Sequence, residues 1–378
     1  MLYLDHAAST PVSPRALEAA WPWLTSEYAN PSSVHEPGLR AGAALEWARE
    51  TCAKYLGCKP SELVFTSGGT ESNNLAIQGI ALANPRGKHL ISAATEHSSV
   101  LRELEFLVHE HGFELTLLPV DAAGAVWPAD LAAAIRPNTT LVTLMLANNE
   151  IGTVHPIAEL AAIAANHAVP FHTDAVQAAG YFNLDVQALG VSALSLSGHK
   201  FGAPKGSGLL YIKGRTPLQP LIHGGKQELE RRGGTPNVAW AVALATALSQ
   251  LEEPKATSAR ISSVTNAFID GVLAAHPMAK LTGPTPGNQR HPAIASFTFE
   301  GLNGETLLLE LEAAGVVCSS GSACAAGSTD PSHVLVALGL QEELAQTAVR
   351  FSFGKDATAD QATQALGALD KALSRLLP

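Results

Sequence analysis

Charge is scarce in this chain. Asp, Glu, Lys and Arg make up only 15% of its 378 residues, and the net charge is −10 with no block of Lys or Arg. That balance argues against a nucleic acid or an anionic membrane as the main partner. The four cysteines, Cys52, Cys58, Cys318 and Cys324, form no CxxC pair, so a zinc cage is not expected. No run of about 18 apolar residues occurs, and no transmembrane helix is expected. The start, "MLYLDHAAST", has an early Asp5, no basic region and no apolar stretch of signal length. A reducing cytoplasm with free thiols is the setting these absences predict. Also missing are GxxxxGK[ST] and GxGxxG, the usual nucleotide and dinucleotide cradles.

Apolar residues are plentiful at 46%, which fits a large Ala-rich interior enlarged by a subunit interface. The length suggests one large domain and a smaller one. The first 15 residues read as extended and residues 16 to 56 as helical, broken by "YANPSSVHEPG". Seven apolar runs of strand length then alternate with helical segments: "ELVFTSG", "HLISAATEH", "ELTLLPV", "TLVTLMLANNE", "PFHTDAVQ", "ALSLSGHK" and "GLLYIK". Several are rich in β-branched residues, as strands buried on both faces tend to be. The alternation predicts an open α/β sheet. A boundary falls near "LEEPKATS", which predicts a large α/β domain over residues 16–254. Residues 1–15 and 255–378 would form a small α+β domain. Its parts are strand "AIASFTFEG", helix "ETLLLELEAAG", helix "SHVLVALGL", strand "AVRFSFG" and a last helix opened by Thr358 with Gln361 at capping-box spacing.

In open α/β sheets ligands bind beyond the carboxyl ends of the strands. Five such exits carry polar side chains: Ser67-Gly68-Gly69-Thr70, His97, Asn148-Asn149-Glu150, Asp174 with Gln177, and Ser197 with His199 and Lys200. The first resembles a phosphate cradle at a helix start, and a glycine turn with Thr70 as helix cap reads it equally well. Asp174 could be a capped turn or an acid holding a ring nitrogen protonated. Lys200 could be a solvated strand-end lysine. Taken together, a lysine, an acid and a phosphate cradle at neighbouring exits are what pyridoxal phosphate needs. Cys324 lies in "CSSGSACAAGS", a run that cannot pack tightly around a thiol. An incidental loop thiol is the plain alternative.

From "YLDHAASTPV" to "VRFSFG" the chain resembles the cysteine desulfurases of the class V aminotransferase superfamily. The motifs that carry the resemblance are "FTSGGTESNNLAI", "TEHSSV", "NNEIGTV", "TDAVQ", "SGHKFGAPKGSG", "GGTPN" and "SSGSAC". It implies a fold-type I pyridoxal-phosphate-dependent transferase with a mostly parallel seven-stranded sheet flanked by helices. Lys200 would hold the cofactor covalently, Asp174 would pair with its ring nitrogen and Gln177 with its ring hydroxyl. His97 would stack on the ring and could move protons. Gly69, Thr70, Ser197 and His199 would hold the phosphate. Thr235 would reach the phosphate of a neighbouring subunit, which implies a homodimer. Asn149, which would also touch the cofactor, and Arg350 would bind the substrate, L-cysteine, with Arg350 on its carboxylate.

Cys324 would accept the sulfur as a persulfide, releasing alanine, and pass it to an acceptor or an iron–sulfur scaffold protein. It could also ligate an iron–sulfur cluster transiently; no resident metal is expected. Cys52, Cys58 and Cys318 read as structural. A selenocysteine lyase or a class V aminotransferase would share Lys200 and Asp174, although an aminotransferase has no need of Cys324. A non-catalytic scaffold would need neither Lys200 nor Asp174. Two departures stand out: "RRGGT" replaces the Ser that many relatives carry before "GT", and only 28 residues (378 − 350) follow Arg350. Longer relatives have an extension there that contacts the scaffold.

Overall fold

The computed structural model describes residues 1–84, 86–320 and 331–377. The chain opens on a two-residue strand, β1 (Leu2–Tyr3), followed by helices α1 (Pro14–Thr25) and α2 (Glu36–Leu56). The loop between the helices falls where the Pro- and Ser-rich stretch places it. Proline at the start of α2 leaves no donor to satisfy, and Gly57 closes it at φ 66 in the left-handed region.

All seven apolar runs form strands: β2 (Leu63–Thr66), β3 (His89–Ala93), β4 (Glu114–Leu118), β5 (Thr139–Thr143), β6 (Phe171–Asp174), β7 (Ala193–Ser197) and β8 (Gly208–Ile212). Their order is β2-β8-β7-β6-β5-β3-β4. Only β8 runs against the rest, antiparallel to both β7 and β2. Strands β3, β5, β6, β7 and β8 are buried along their whole length, because helices cover both faces. The five polar exits therefore open on one edge of one sheet. From two of them start the helices α3 (Gly69–Ala83) and α4 (Ser98–His111).

The run "TLVTLMLANNE" is not one strand. Regular pairing stops at Thr143, although Leu144 and Leu146 still donate to His172 and Asp174 carbonyls on β6. Asn148 bends the chain there, its side-chain oxygen accepting the N–H groups of Glu150 and Ile151.

A second hydrophobic core gathers Leu2 and Leu4 with residues between Ile261 and Leu373. Around it lie β9 (Ala279–Leu281), β10 (Ile294–Phe299), β11 (Val316–Val317) and β12 (Val349–Ser352). Strands β12, β10 and β9 form an antiparallel sheet in that order, while β1 pairs with β11. Phe268 meets Phe351 and Phe353 edge-on, at 4.9 and 5.6 Å between ring centroids, a favourable aromatic geometry. The last helix, Ala359–Leu376, begins with the expected Thr358–Gln361 capping box. The expected helix "SHVLVALGL" is shorter: it spans His333–Ala337 and is followed by Gly339 at φ 85. Among the described residues no helix is long and apolar enough to cross a membrane.

Candidate active site

The glycine turn after β2 places the first turn of α3 against the exit of β7. A Cβ on Gly69 would lie 2.8 Å from Val176 Cγ2 and 3.3 Å from Ser197 Cβ, so glycine is what permits this approach. The helix start collects negative charge. Glu71 Oε2 accepts the Ser67 N–H at 2.8 Å, and Arg232 Nε donates to Glu71 Oε1 at 2.9 Å. Burial alone would raise the Glu71 carboxyl, but the donors Arg232 and Ser67 outweigh it and hold it below its usual value. Ser197 is buried and Thr70 exposed beside this cradle.

Asp174 ends β6 and is 6% exposed. Its Oδ1 accepts the Val176 N–H at 2.9 Å and its Oδ2 accepts Asn73 Nδ2 at 2.7 Å. Among the described residues it makes no ion pair. A buried acid held by donors yet lacking a cation is the setting a protonated ring nitrogen would complete. Next to it, Glu96 is fully buried and accepts the Met145 N–H at 2.6 Å. Burial first, and the nearby Asp174 as well, push the Glu96 carboxyl well above the usual range. Glu96 is thus a buried acid of the wall, which "TEH" alone does not reveal. His97 caps α4: its Nδ1 accepts the Ser99 N–H at 3.1 Å and lies 2.8 Å from Ser99 Oγ.

Lys200 ends the short 3-10 turn Gly198–Lys200 after β7. Its Nζ donates to the carbonyls of Ala7 (2.6 Å) and Ala8 (2.9 Å), and Gln177 Nε2 donates to the same Ala7 oxygen at 2.9 Å. Lys200, Val176 and Gln177 line one cavity with His6, Thr10 and His291. His199 joins the same segment, its Nδ1 3.2 Å from Ser9 Oγ and its carbonyl accepting the Thr10 N–H. Burial, then the positive charges of Lys200 and Lys205, push its imidazole down to about 4.

Residues 5–10 thus touch several expected site residues, and the sequence reading assigned them no part. Alanines carry no chemical signal, and here their backbone oxygens do the binding.

Arg350 lies on β12, the outer strand of its sheet, yet is not at the surface. It is 1% exposed, and its guanidinium donates to Asp5 Oδ1 at 2.7 Å and to the Asn149 carbonyl at 2.8 Å. The two expected substrate-binding residues therefore lie side by side. The Arg350 backbone also pairs with Ser319 in both directions. Cys324 itself lies outside the described residues. On its far side, Ser332 Oγ donates to Glu150 Oε2 at 2.5 Å, and His333 Nε2 is 2.9 Å from the Glu96 carbonyl.

The other thiols are poor nucleophiles. Burial pushes Cys52 and Cys318 far up, and Cys58 up to about 12.

Thr235 is exposed and does not line the Lys200 cavity. It lines a cavity of about 260 Å³ with Ser67, Ser207, Arg232 and Trp240. The segment leading to it has three successive left-handed residues, Glu228, Leu229 and Glu230, at φ 48, 57 and 64, a conformation that costs energy in residues other than glycine. A buried ion pair holds it: Arg49 donates to both Glu228 oxygens at 3.0 and 2.8 Å, and the Phe65 N–H adds a third bond. Gly233 explains the "RRGGT" departure, since a Cβ there would come within 2.7 Å of the Gly224 backbone.

Residues 2–364 match the family Aminotransferase class-V. The chain is 44% identical over 378 residues to "Cysteine desulfurase IscS" of Dictyoglomus turgidum, covering 99% of this chain and 95% of the relative. A solved NifS-like protein superposes with a TM-score of 0.91 at 33% identity, covering 99% of both chains. Another, "SspA in complex with cysteine", gives a TM-score of 0.83 at 39% identity over 93% of this chain and 99% of that one.

Proposed function

Because the chain belongs to the class V aminotransferase family, among its cysteine desulfurases, we infer that it converts L-cysteine to L-alanine with pyridoxal 5'-phosphate as cofactor. The observation that carries this is Asp174, buried with a donor on each oxygen and no cation among the described residues, beside the cavity edge where Lys200 and Gln177 meet. Lys200 would hold the cofactor and Asp174 its ring nitrogen, with Gln177 at the ring hydroxyl and His97 on the ring face. Gly69, Thr70, Ser197 and His199 would take the phosphate, and Thr235 that of a second copy in a homodimer. The position of Thr235, away from the Lys200 of its own chain, supports that last assignment. The reading gives residues 16–254 the cofactor and residues 1–15 with 255–378 the substrate grip and the thiol. Separate cores support this division.

Bound, the cofactor supplies an electron sink for the α-carbon of the amino acid. Asp174 favours the protonated ring nitrogen by its charge. Arg350 and Asn149 take the substrate carboxylate at the Asp5 side of the site. The Lys200 amine serves as the base for the α-proton. The Cys324 thiolate attacks the substrate sulfur, so that an S–S bond forms as the C–S bond breaks and the electron pair left on the β-carbon takes a proton to give alanine. The Cys324 persulfide then passes its outer sulfur to an acceptor thiol by exchange.

Incubation with L-cysteine should add one sulfur atom to Cys324, read by mass spectrometry of the digested protein, with alanine as co-product. An unmodified Cys324 alongside alanine formation would overturn the thiol assignment. Transamination of a keto acid in place of sulfur release would overturn the activity.

A further inference from the structure

Asn73 has no part in the function proposed above. It lies one turn into α3, four residues beyond Gly69, and is 1% exposed. Its amide nitrogen donates twice, to Asp174 Oδ2 at 2.7 Å and to Ser99 Oγ at 2.9 Å. The opposite amide orientation would set two acceptors, Asn73 Oδ1 and Asp174 Oδ2, against each other. In the orientation present, Asn73 Oδ1 is buried without a hydrogen-bond partner among the described residues. A hydrocarbon side chain would avoid that cost, so packing alone does not account for an asparagine here.

The proton positions beyond Ser99 follow in turn. The backbone N–H of Ser99 donates to His97 Nδ1, so that nitrogen presents its lone pair. The Ser99 hydroxyl, 2.8 Å from the same atom, must then donate as well, and it accepts from Asn73. The His97 ring proton is thereby placed on Nε2.

We infer that Asn73 is a positioning residue that orients two groups of the site with one amide. It fixes the Asp174 carboxylate directly and the His97 ring through Ser99. The same helix begins with the phosphate cradle, so α3 sets the register between that cradle, the ring-nitrogen acid and the stacking imidazole. This rests on the cofactor-holding reading of Asp174 and His97 proposed above.

The test compares cofactor-loaded wild type, Asn73→Leu, Ser99→Ala and the double variant. Nitrogen-15 spectra of the imidazoles, with His97 identified by its absence in His97→Gln, should show the wild-type proton on Nε2. Cofactor release on dilution, followed by absorbance, should be about tenfold faster in Asn73→Leu, as expected for loss of one hydrogen bond to a charged group. Ser99→Ala should release it at the wild-type rate. Both single variants should lower kcat, and the double variant should fall no further than Asn73→Leu, since one chain of contacts is broken in each.

Release from Asn73→Leu at the wild-type rate, a proton on His97 Nδ1, or multiplying effects on kcat would each overturn the inference. Should circular dichroism show Asn73→Leu unfolded, Asn73→Asp keeps the shape, removes both donors and should show the same faster release; wild-type release would again overturn the inference. Wild type that takes up no cofactor would sink the proposed function and this inference together. Equal release from loaded wild type and variant would sink only this one.

Discussion

On the α3 side of the site, Asp174 takes a hydrogen bond from the Asn73 side chain, and His97 takes its own from Ser99. On the N-terminal side, Lys200 and Gln177 share the carbonyl of Ala7, and Lys200 also reaches that of Ala8. One wall works through side chains set on α3, on β6 and at the start of α4. The other works through backbone oxygens from a segment nearly two hundred residues away in sequence. The first is written in residue types, and substitution can remove it atom by atom. The second depends on where the chain runs; the Asp5–Arg350 ion pair and the Ala7 N–H donated to Ser352 Oγ both tie it to β12.

The largest effects should come where a side chain performs chemistry. Cys324→Ala should keep the cofactor's colour and lose sulfur transfer by about a thousandfold or more, a scale typical of removing a nucleophile. Lys200→Ala should lose the covalent link to the cofactor as well, visible in the absorption spectrum. Asp174→Asn comes next. A nearby opposite charge is worth about 1–3 pKa units, so activity should fall between about tenfold and a thousandfold. A loss smaller than threefold would erase the distinction between the two walls.

Asp5→Asn probes the other wall through stability. It leaves Arg350 buried beside a neutral partner, and breaking a buried ion pair costs about 3 kcal/mol, which denaturant unfolding would detect. Acid should act more broadly. Burial pushes the imidazoles of His172, His199 and His291 down to about 3, 4 and 4. Each takes a proton in the unfolded chain from about pH 6.5 downward but resists it when folded. Stability should thus be complete above that pH and decline as pH falls toward 4, read as a falling denaturation midpoint. Gly233→Ser should cost least, about 1–3 kcal/mol from crowding against Gly224; a stabilised variant would show that the loop yields freely.

Strands β3, β5, β6, β7 and β8 were legible because two-sided burial leaves an uninterrupted apolar run. The candidate site residues at their exits stood out because an acid, a lysine and a histidine in such places need a reason. Asn73 was not. An asparagine in the first turns of a helix reads as a solvated residue, and its contact with Asp174 lies 101 residues away. Nor were the left-handed residues Glu228 to Glu230 legible, since they lack the glycine or asparagine that usually marks such turns. Strands β1 and β11, of two residues each, are too short to show a period.

The pairing of Arg350 with Ser319 sets a leash. Cys324 lies five peptide links (324 − 319) beyond that fixed point, and a fully stretched chain covers about 17 Å over that length. Covalent geometry alone therefore keeps the Cys324 α-carbon within that distance of Ser319, which is paired to Arg350. On the role proposed for Cys324, an acceptor would have to bring its own thiol within that reach rather than wait at a distant dock.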